Sequence, residues 1–215
     1  DFQLLFYIIQ PPTPERVKYD IFDRVNRGGT PLNKQEMRNA LYRGRCTRML
    51  DKLCCSPEFL IATGRSINKE RMKDQYVVLR AMAFLMLHRG EFKDIPALQY
   101  RGDIDDFLAR FMVYVNDNAP EKLIVDYENL FIRCMQISYD LLGENGFRFS
   151  GNGIRRPINM PLFEALSYLF SFVPEKIDYT WASRLILDIE SVKEEFDGSR
   201  YFSGNIDSTT SVSFR

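Results

Sequence analysis

The chain has 215 residues, of which 45% are hydrophobic and 27% are charged, and these ordinary values for a globular protein allow a large buried core. Its 29 basic and 29 acidic residues balance, so no overall field attracts nucleic acid, a membrane surface or an acidic substrate. No segment approaches the roughly 18 uninterrupted apolar residues of a membrane span, and we expect no contact with a membrane.

The first predicted element is a short strand. Residues 4–10 are apolar, aromatic and β-branched, and two prolines follow them. A strand at the terminus needs a pairing partner, and the sequence does not begin with methionine. We therefore expect the chain to be part of something longer.

A helical hairpin follows the strand. The run Thr13-Pro14-Glu15 is typical of a helix start, and Gly28-Gly29 is typical of a helix end. Asn33, followed three residues later by Glu36, is a variant of the capping box and predicts that a second helix begins there. Gly44 is the predicted end of that second helix.

The rest of the chain is predicted to be almost entirely helical. The predicted helices cover residues 48–53, 57–64, 69–89, 103–116, 120–142, 160–172 and 178–196. Within the 69–89 helix the run VVLRAMAFLML is apolar on nearly all sides, so this helix is expected to be the central one. The composition of residues 143–157 predicts an ordered loop. For the tail that follows residue 196, the sequence predicts no particular structure. The expected fold is mainly α, a multi-helix globular bundle with a short N-terminal strand and one helical domain over residues 1–215.

The hairpin carries more polar side chains than its own helices need. Successive backbone amides after a glycine pair can bind an anion, which makes the turn a candidate phosphate or nucleotide site. The candidate residues are Asn26, Arg27, Gly28, Gly29, Thr30, Gln35, Arg38 and Asn39. Two alternatives stay open: a purely structural turn, or a buried polar network that grips a neighbouring loop. Glu36 has no identifiable partner for acid-base chemistry, and the catalytic residues are unknown.

A second basic loop contains Arg148, Arg155 and Arg156. These arginines are candidates for DNA contact, and a solvated surface turn is an equally good interpretation. Aromatic residues follow the loop at helical positions with aliphatic neighbours, which favours a core role over base stacking. They are Tyr168, Phe170, Phe172, Tyr179 and Trp181.

The cysteines do not predict a metal site. The chain has four cysteines and one histidine, His88, and the adjacent pair Cys54-Cys55 lacks the spacing of zinc ligands. We expect no metal, and we expect reduced, mostly buried thiols in a cytoplasmic protein.

The segment IFDRVNRGGTPLNKQEMRNALYRG closely resembles a motif of the N-terminal domain family of GmrSD-type restriction endonucleases. The matching residues are Phe22, Arg24, Asn26, Gly28, Gly29, Thr30, Leu32, Gln35, Glu36, Arg38, Asn39 and Ala40. The match covers about the first fifth of the chain, and INMPLFEAL resembles the family more loosely. The Asp-Gly-Gln-Gln-Arg signature and the His-Asn-His nuclease domain of the family are absent from these 215 residues.

The resemblance implies a ParB/sulfiredoxin-related nucleotide-handling domain from a prokaryotic anti-phage restriction system, of which this chain is the C-terminal helical part. An enzymatic activity would then be nucleotide hydrolysis or modification-dependent DNA cleavage, with the catalytic motif outside this chain. The implied cofactor is an NTP with Mg²⁺ in the full-length protein, and none in this chain. The implied partners are DNA, a nuclease domain or subunit, and the N-terminal half. The alternative is a helical protein-interaction scaffold without chemistry of its own.

Overall fold

The structure is a computed structural model that describes residues 8, 10, 12–13, 15–26, 31–149, 155–174, 176 and 178–196. The described part is mainly helical, as predicted. The predicted strand at residues 4–10 falls mostly outside the described residues, and the tail from residue 197 falls outside them entirely.

Nine α-helices are present in the described part. They are α1 (Glu15–Asn26), α2 (Lys34–Leu41), α3 (Arg45–Cys54), α4 (Pro57–Ala62), α5 (Lys73–His88), α6 (Ile104–Asp117), α7 (Glu121–Leu142), α8 (Met160–Phe170) and α9 (Tyr179–Phe196). Short 3-10 turns cover Glu70–Met72, Pro96–Leu98 and Gly143–Asn145. None of these described helices combines the length and apolarity that crossing a membrane requires.

Helix α5 lies at the centre of the core, as its sequence predicts. Its residues 77–86 are all buried, and the helix packs against α3, α6 and α8. A second part of the core joins α4, α7 and α8, where the ring of Phe59 lies 6.1 Å from that of Phe131 and 6.3 Å from that of Phe163. Burial of these apolar side chains supplies most of the stabilisation of the bundle.

The predicted 69–89 helix is broken near its start. Arg71 and Met72 have φ angles of 56° and 57°, so the backbone leaves the right-handed helical region and α5 begins at Lys73. The side chain of Asn33 donates to the Arg71 carbonyl over 2.7 Å, and Arg71 donates to the Pro31 carbonyl over 2.7 Å. Contacts with the hairpin therefore hold this kink in place.

The turn between α2 and α3 differs from the prediction because a distant side chain organises it. Helix α2 ends at Leu41, and Gly44 precedes α3, which begins three residues earlier than predicted. Asn116 of α6 donates to the Tyr42 carbonyl over 2.9 Å and accepts from the Cys46 amide over 2.8 Å. A Cβ atom on Gly44 would lie 2.6 Å from the Asn116 side-chain oxygen, so the approach requires glycine.

The predicted core role of the late aromatic residues is only partly right. Phe170 is fully buried, whereas Phe172 is 60% exposed and Tyr179 is 90% exposed. Helix α8 ends at Phe170, so Phe172 lies beyond the buried stripe that the helical pattern predicted.

Candidate functional site

The candidate site is the hairpin, which the structure describes in part. Asn26 closes α1, but its side chain lies outside the described features, as do Arg27, Gly28, Gly29 and Thr30. The predicted phosphate contacts of these five residues stay predictions. From residue 31 onward the structure shows how the hairpin is held.

The start of α2 is a complete capping box, as predicted. The Asn33 side chain accepts from the backbone amides of Gln35 (2.8 Å) and Glu36 (2.9 Å), and Glu36 accepts from the Asn33 amide (2.6 Å). Arg71 also donates to Glu36 over 3.0 Å, and this hydrogen bond is the main reason why the pKa of Glu36 lies below its ordinary value. Glu36 is thus an ionised structural group.

Arg38 is the most deeply buried charge of the hairpin, with 0% of its surface exposed. Its Nε and Nη2 donate to the Gln35 side-chain oxygen over 3.0 and 2.9 Å, and its Nη1 donates to Asp105 of α6 over 2.9 Å. Its guanidinium carbon lies 5.6 Å from the centre of the Tyr76 ring. Each guanidinium nitrogen therefore has a protein partner.

The amide side chains extend these contacts to α3 and α5. Gln35 donates to the Asn39 side chain over 2.8 Å, Asn39 donates to Gln75, and Gln75 donates to Asp51 over 2.7 Å. We call Gln35, Arg38, Asn39, Gln75 and Asp105 the Arg38 network. It joins α2 to α5 and α6 through hydrogen bonds, and it corresponds to the polar-network alternative of the sequence analysis.

The electrostatics of the network favour its ionised form. Burial by itself raises the pKa of Asp105, but hydrogen bonds from Lys34 and Arg38 together with their charges bring that pKa below its ordinary value. Lys34 forms a second ion pair with the same carboxylate. Asp105 is therefore charged at neutral pH and neutralises the buried guanidinium.

A second buried ion pair adjoins the network at Tyr76. Arg80 donates to Glu164 of α8 over 2.5 Å and to the Tyr76 hydroxyl over 3.1 Å, and its guanidinium also lies 5.6 Å from the Tyr76 ring centre. Burial raises the pKa of Glu164, although the Arg80 charge opposes this shift. Local sequence patterns did not predict this pair, and its one trace in the sequence is an arginine within the apolar run VVLRAMAFLML.

The second basic loop is divided between a buried and an exposed part. Arg148 is only 4% exposed and donates to the Thr63 carbonyl over 3.1 Å, to the Arg156 carbonyl and to the Ser66 hydroxyl. Arg155 and Arg156 are exposed, and Arg155 pairs with Glu144 at 3.0 Å. The structure therefore ties Arg148 to the end of α4, whereas the Arg38 network is tied to α5 and α6. DNA contact by the three arginines stays a prediction.

Nucleophilic or metal-based chemistry has little support in the described residues. Burial raises the pKa of the Cys46, Cys54 and Cys134 thiols, in the last case to about 12, so these groups are neutral. Within the described ranges, no three His, Cys, Asp or Glu side chains are grouped so that they could hold a metal ion. Burial also lowers the pKa of His88, whose ring stacks on Phe84.

Comparisons with models of protein families, with curated proteins and with solved structures gave no match to this chain. The resemblance of the hairpin to GmrSD-type proteins therefore rests on the matched residues alone. What the geometry adds is a physical role for Gln35, Arg38 and Asn39, which fix the position of α2.

Proposed function

We propose that this chain is the helical support of a restriction-type, nucleotide- and DNA-handling protein, with the 22–44 hairpin as one wall of its nucleotide site. The observation that carries the proposal is the Arg38 network. A guanidinium with no exposed surface is costly to bury, and here it pairs with Asp105 of α6, packs on the Tyr76 ring of α5 and donates to Gln35 within α2. Such an anchor fixes the position of α2, the helix that follows the glycine pair in the sequence.

The proposal divides the candidate residues into two roles. Asn33 already caps the amides of Gln35 and Glu36, so the start of α2 has few free donors for an anion. The proposal therefore assigns phosphate contact to residues 26–30, with Arg27 and Thr30 as the candidate side chains. Gln35, Arg38 and Asn39 are positioning residues.

The nucleotide part is tested by binding of fluorescent ATP and GTP analogues with Mg²⁺ to the protein that includes the sequence upstream of Asp1. Arg27→Ala is expected to weaken binding at least tenfold without changing the melting temperature. Asn39→Ala is expected to weaken binding and also to lower the melting temperature. Arg184→Ala, an exposed arginine on α9, is the matched control. Unchanged binding in folded Arg27→Ala and Asn39→Ala variants would remove the site assignment.

The DNA part is tested by the salt dependence of binding to modified duplex DNA. Each lost phosphate contact reduces the slope of log K against log salt by about 1. Replacing both Arg155 and Arg156 by alanine is therefore expected to reduce the slope by about 2 if each contacts one phosphate. A slope equal to that of the wild-type protein would exclude this loop from the DNA contact.

A protein-interaction scaffold is the second candidate, and exposed apolar side chains favour it. Phe172 and Leu187 are 60% and 69% exposed, and a partner that covered these apolar side chains would gain free energy from their burial. Copurification of the intact protein with a nuclease subunit, lost in Phe172→Glu and Leu187→Glu variants, would support a scaffold. Nucleotide turnover by the intact protein would count against a scaffold that lacks chemistry of its own.

A further inference from the structure

A cavity of about 390 Å³ lies between the end of α3, α4, the connection from α4 to α5, and the start of α5. Its apolar wall consists of Phe59, Leu60 and Ile67, and its polar lining includes Thr63, Asn68 and Asp74. A volume of this size, with an apolar wall and a few polar groups, is in the usual range of small-molecule sites. None of the sequence-predicted site residues that the structure describes lines it.

Asp74 is the unusual group in this cavity. The residue is only 7% exposed, and its carboxylate accepts a hydrogen bond from the Gln75 backbone amide over 2.8 Å. Among the described residues, no lysine or arginine forms an ion pair with it, although Lys69 is near enough to influence its pKa. Burial raises that pKa, although backbone hydrogen bonds and the charge of Lys69 partly oppose the shift. A positively charged ligand group in the cavity would give the carboxylate the ion-pair partner that the described residues do not supply.

The outer wall of the cavity is held in a defined shape. Arg65 has a φ angle of 52°, which is a strained conformation for a residue with a side chain. The Ser66 hydroxyl and the Thr63 carbonyl next to it accept from the buried Arg148. The other end of this connection is the kink at Arg71, which the hairpin holds. Contacts with Arg148 at one end and with the hairpin at the other therefore hold the connection that forms this wall.

The charges around the cavity restrict the kind of ligand. Arg65 and Lys69 are exposed side chains of the lining, so a second positive charge on the ligand would meet repulsion there. Cys54 also lines the cavity, but its thiol is neutral because burial raises its pKa. One carboxylate and one neutral thiol are too few ligands for a metal ion.

We propose that this cavity binds a small molecule with an apolar body and one primary ammonium group, which pairs with the Asp74 carboxylate while the body packs on Phe59, Leu60 and Ile67. This proposal does not rest on the nucleotide site proposed above, because it uses none of the residues assigned to that site. The ammonium replaces the water that Asp74 lost on folding, and the apolar wall supplies the remaining affinity.

The experiment uses three probes with the same phenyl body: phenethylamine, L-phenylalanine and 3-phenylpropionate. Calorimetric titration of the whole chain is expected to show saturable binding of phenethylamine and no binding of 3-phenylpropionate. Binding of L-phenylalanine as well would support a contribution of Lys69 and Arg65 to a ligand carboxylate. Asp74→Asn keeps the size of the side chain and its acceptor for Gln75, and it is expected to weaken phenethylamine binding at least tenfold.

Two further variants keep the test decisive. Asp126→Asn removes an exposed carboxylate of α7 outside the cavity lining and is expected to bind phenethylamine like the wild type. Leu60→Trp fills the cavity and is expected to abolish binding in a protein with unchanged helical content. Absence of saturable binding of both amine probes at millimolar concentration would overturn the proposal. Equal affinity of the Asp74→Asn variant, or equal binding of 3-phenylpropionate, would overturn it as well.

Discussion

Replacement of Arg38 by alanine is the most direct test of how the hairpin is held. The change removes three hydrogen bonds of the guanidinium and its contact with the Tyr76 ring. It also leaves the Gln35 side-chain oxygen without its two donors inside the bundle. Among the described residues, Lys34 is then the one charged partner that Asp105 keeps. The aliphatic part of the Arg38 side chain, which is buried with the rest of the residue, is lost and leaves a cavity.

The expected loss of stability is large because the Arg38 guanidinium is buried and each of its nitrogens has a partner. Removing one partner of a buried ion pair costs about 3–5 kcal/mol. Asp105 is partly exposed and retains Lys34, which reduces the charge contribution, whereas the lost packing of the arginine stem increases the total. We expect Arg38→Ala to lower the free energy of unfolding by about 3–5 kcal/mol. Arg38→Lys keeps the charge but not the planar fork, so we expect it to recover only part of this loss.

Urea unfolding followed by far-UV circular dichroism and by the fluorescence of Trp181, the single tryptophan, measures the effect. Arg184→Ala is the control and should stay within about 0.5 kcal/mol of the wild type. A double-mutant cycle of Arg38→Met with Asp105→Asn should give a coupling energy of about 0.5–3 kcal/mol. A loss below about 1 kcal/mol for Arg38→Ala would place it among ordinary substitutions and refute the anchoring role of the network.

Three further predictions follow from single contacts. Gly44→Ala should lower the free energy of unfolding by about 1–3 kcal/mol in the same urea assay, because the new methyl group displaces Asn116 from its two backbone partners. An unchanged midpoint of the urea transition would contradict this prediction. A chromogenic disulfide reagent at pH 8 should label Cys55 quickly and the three buried cysteines only on unfolding, since only Cys55 is exposed; fast labelling of a second thiol would contradict the burial. Burial raises the pKa of Asp74 in the folded state, so ionisation of this carboxyl lowers the stability of the fold as the pH rises. Asp74→Asn should therefore raise the melting temperature at pH 7 but not below about pH 3.9, where the carboxyl is protonated in the unfolded state as well. An equal gain in melting temperature at both pH values would contradict this explanation.

Local sequence rules predicted the helices well where each helix carries its own signals. The capping box at Asn33 and Glu36, the cap at Asp103 and the start of α7 after Pro120 all lie where the sequence predicted them. These signals act within one turn of the helix, so they do not need knowledge of the rest of the fold. The central position of α5 also followed from its sequence, because a helix that is apolar on every side must be buried.

The partners of the polar residues could not be predicted in the same way. Arg38 lies 67 residues from Asp105 in the sequence, and Arg80 lies 84 residues from Glu164, so only the packing of α2, α5, α6 and α8 brings these charges together. The same holds for Arg148, whose burial depends on the backbone carbonyl at Thr63, 85 residues away. A basic residue in a loop has no local feature that distinguishes a surface contact from such an internal bond.

The sequence by itself determined that this protein is a mainly helical bundle with a densely polar hairpin at residues 22–44, because periodicity, caps and glycine stops are local properties. The tertiary structure decided which hairpin side chains are internal, because burial of Gln35 and Arg38 depends on where the other helices pack. It also decided that α5 starts after a kink and that Asp74 lines a cavity, since both result from contacts between segments far apart in the chain.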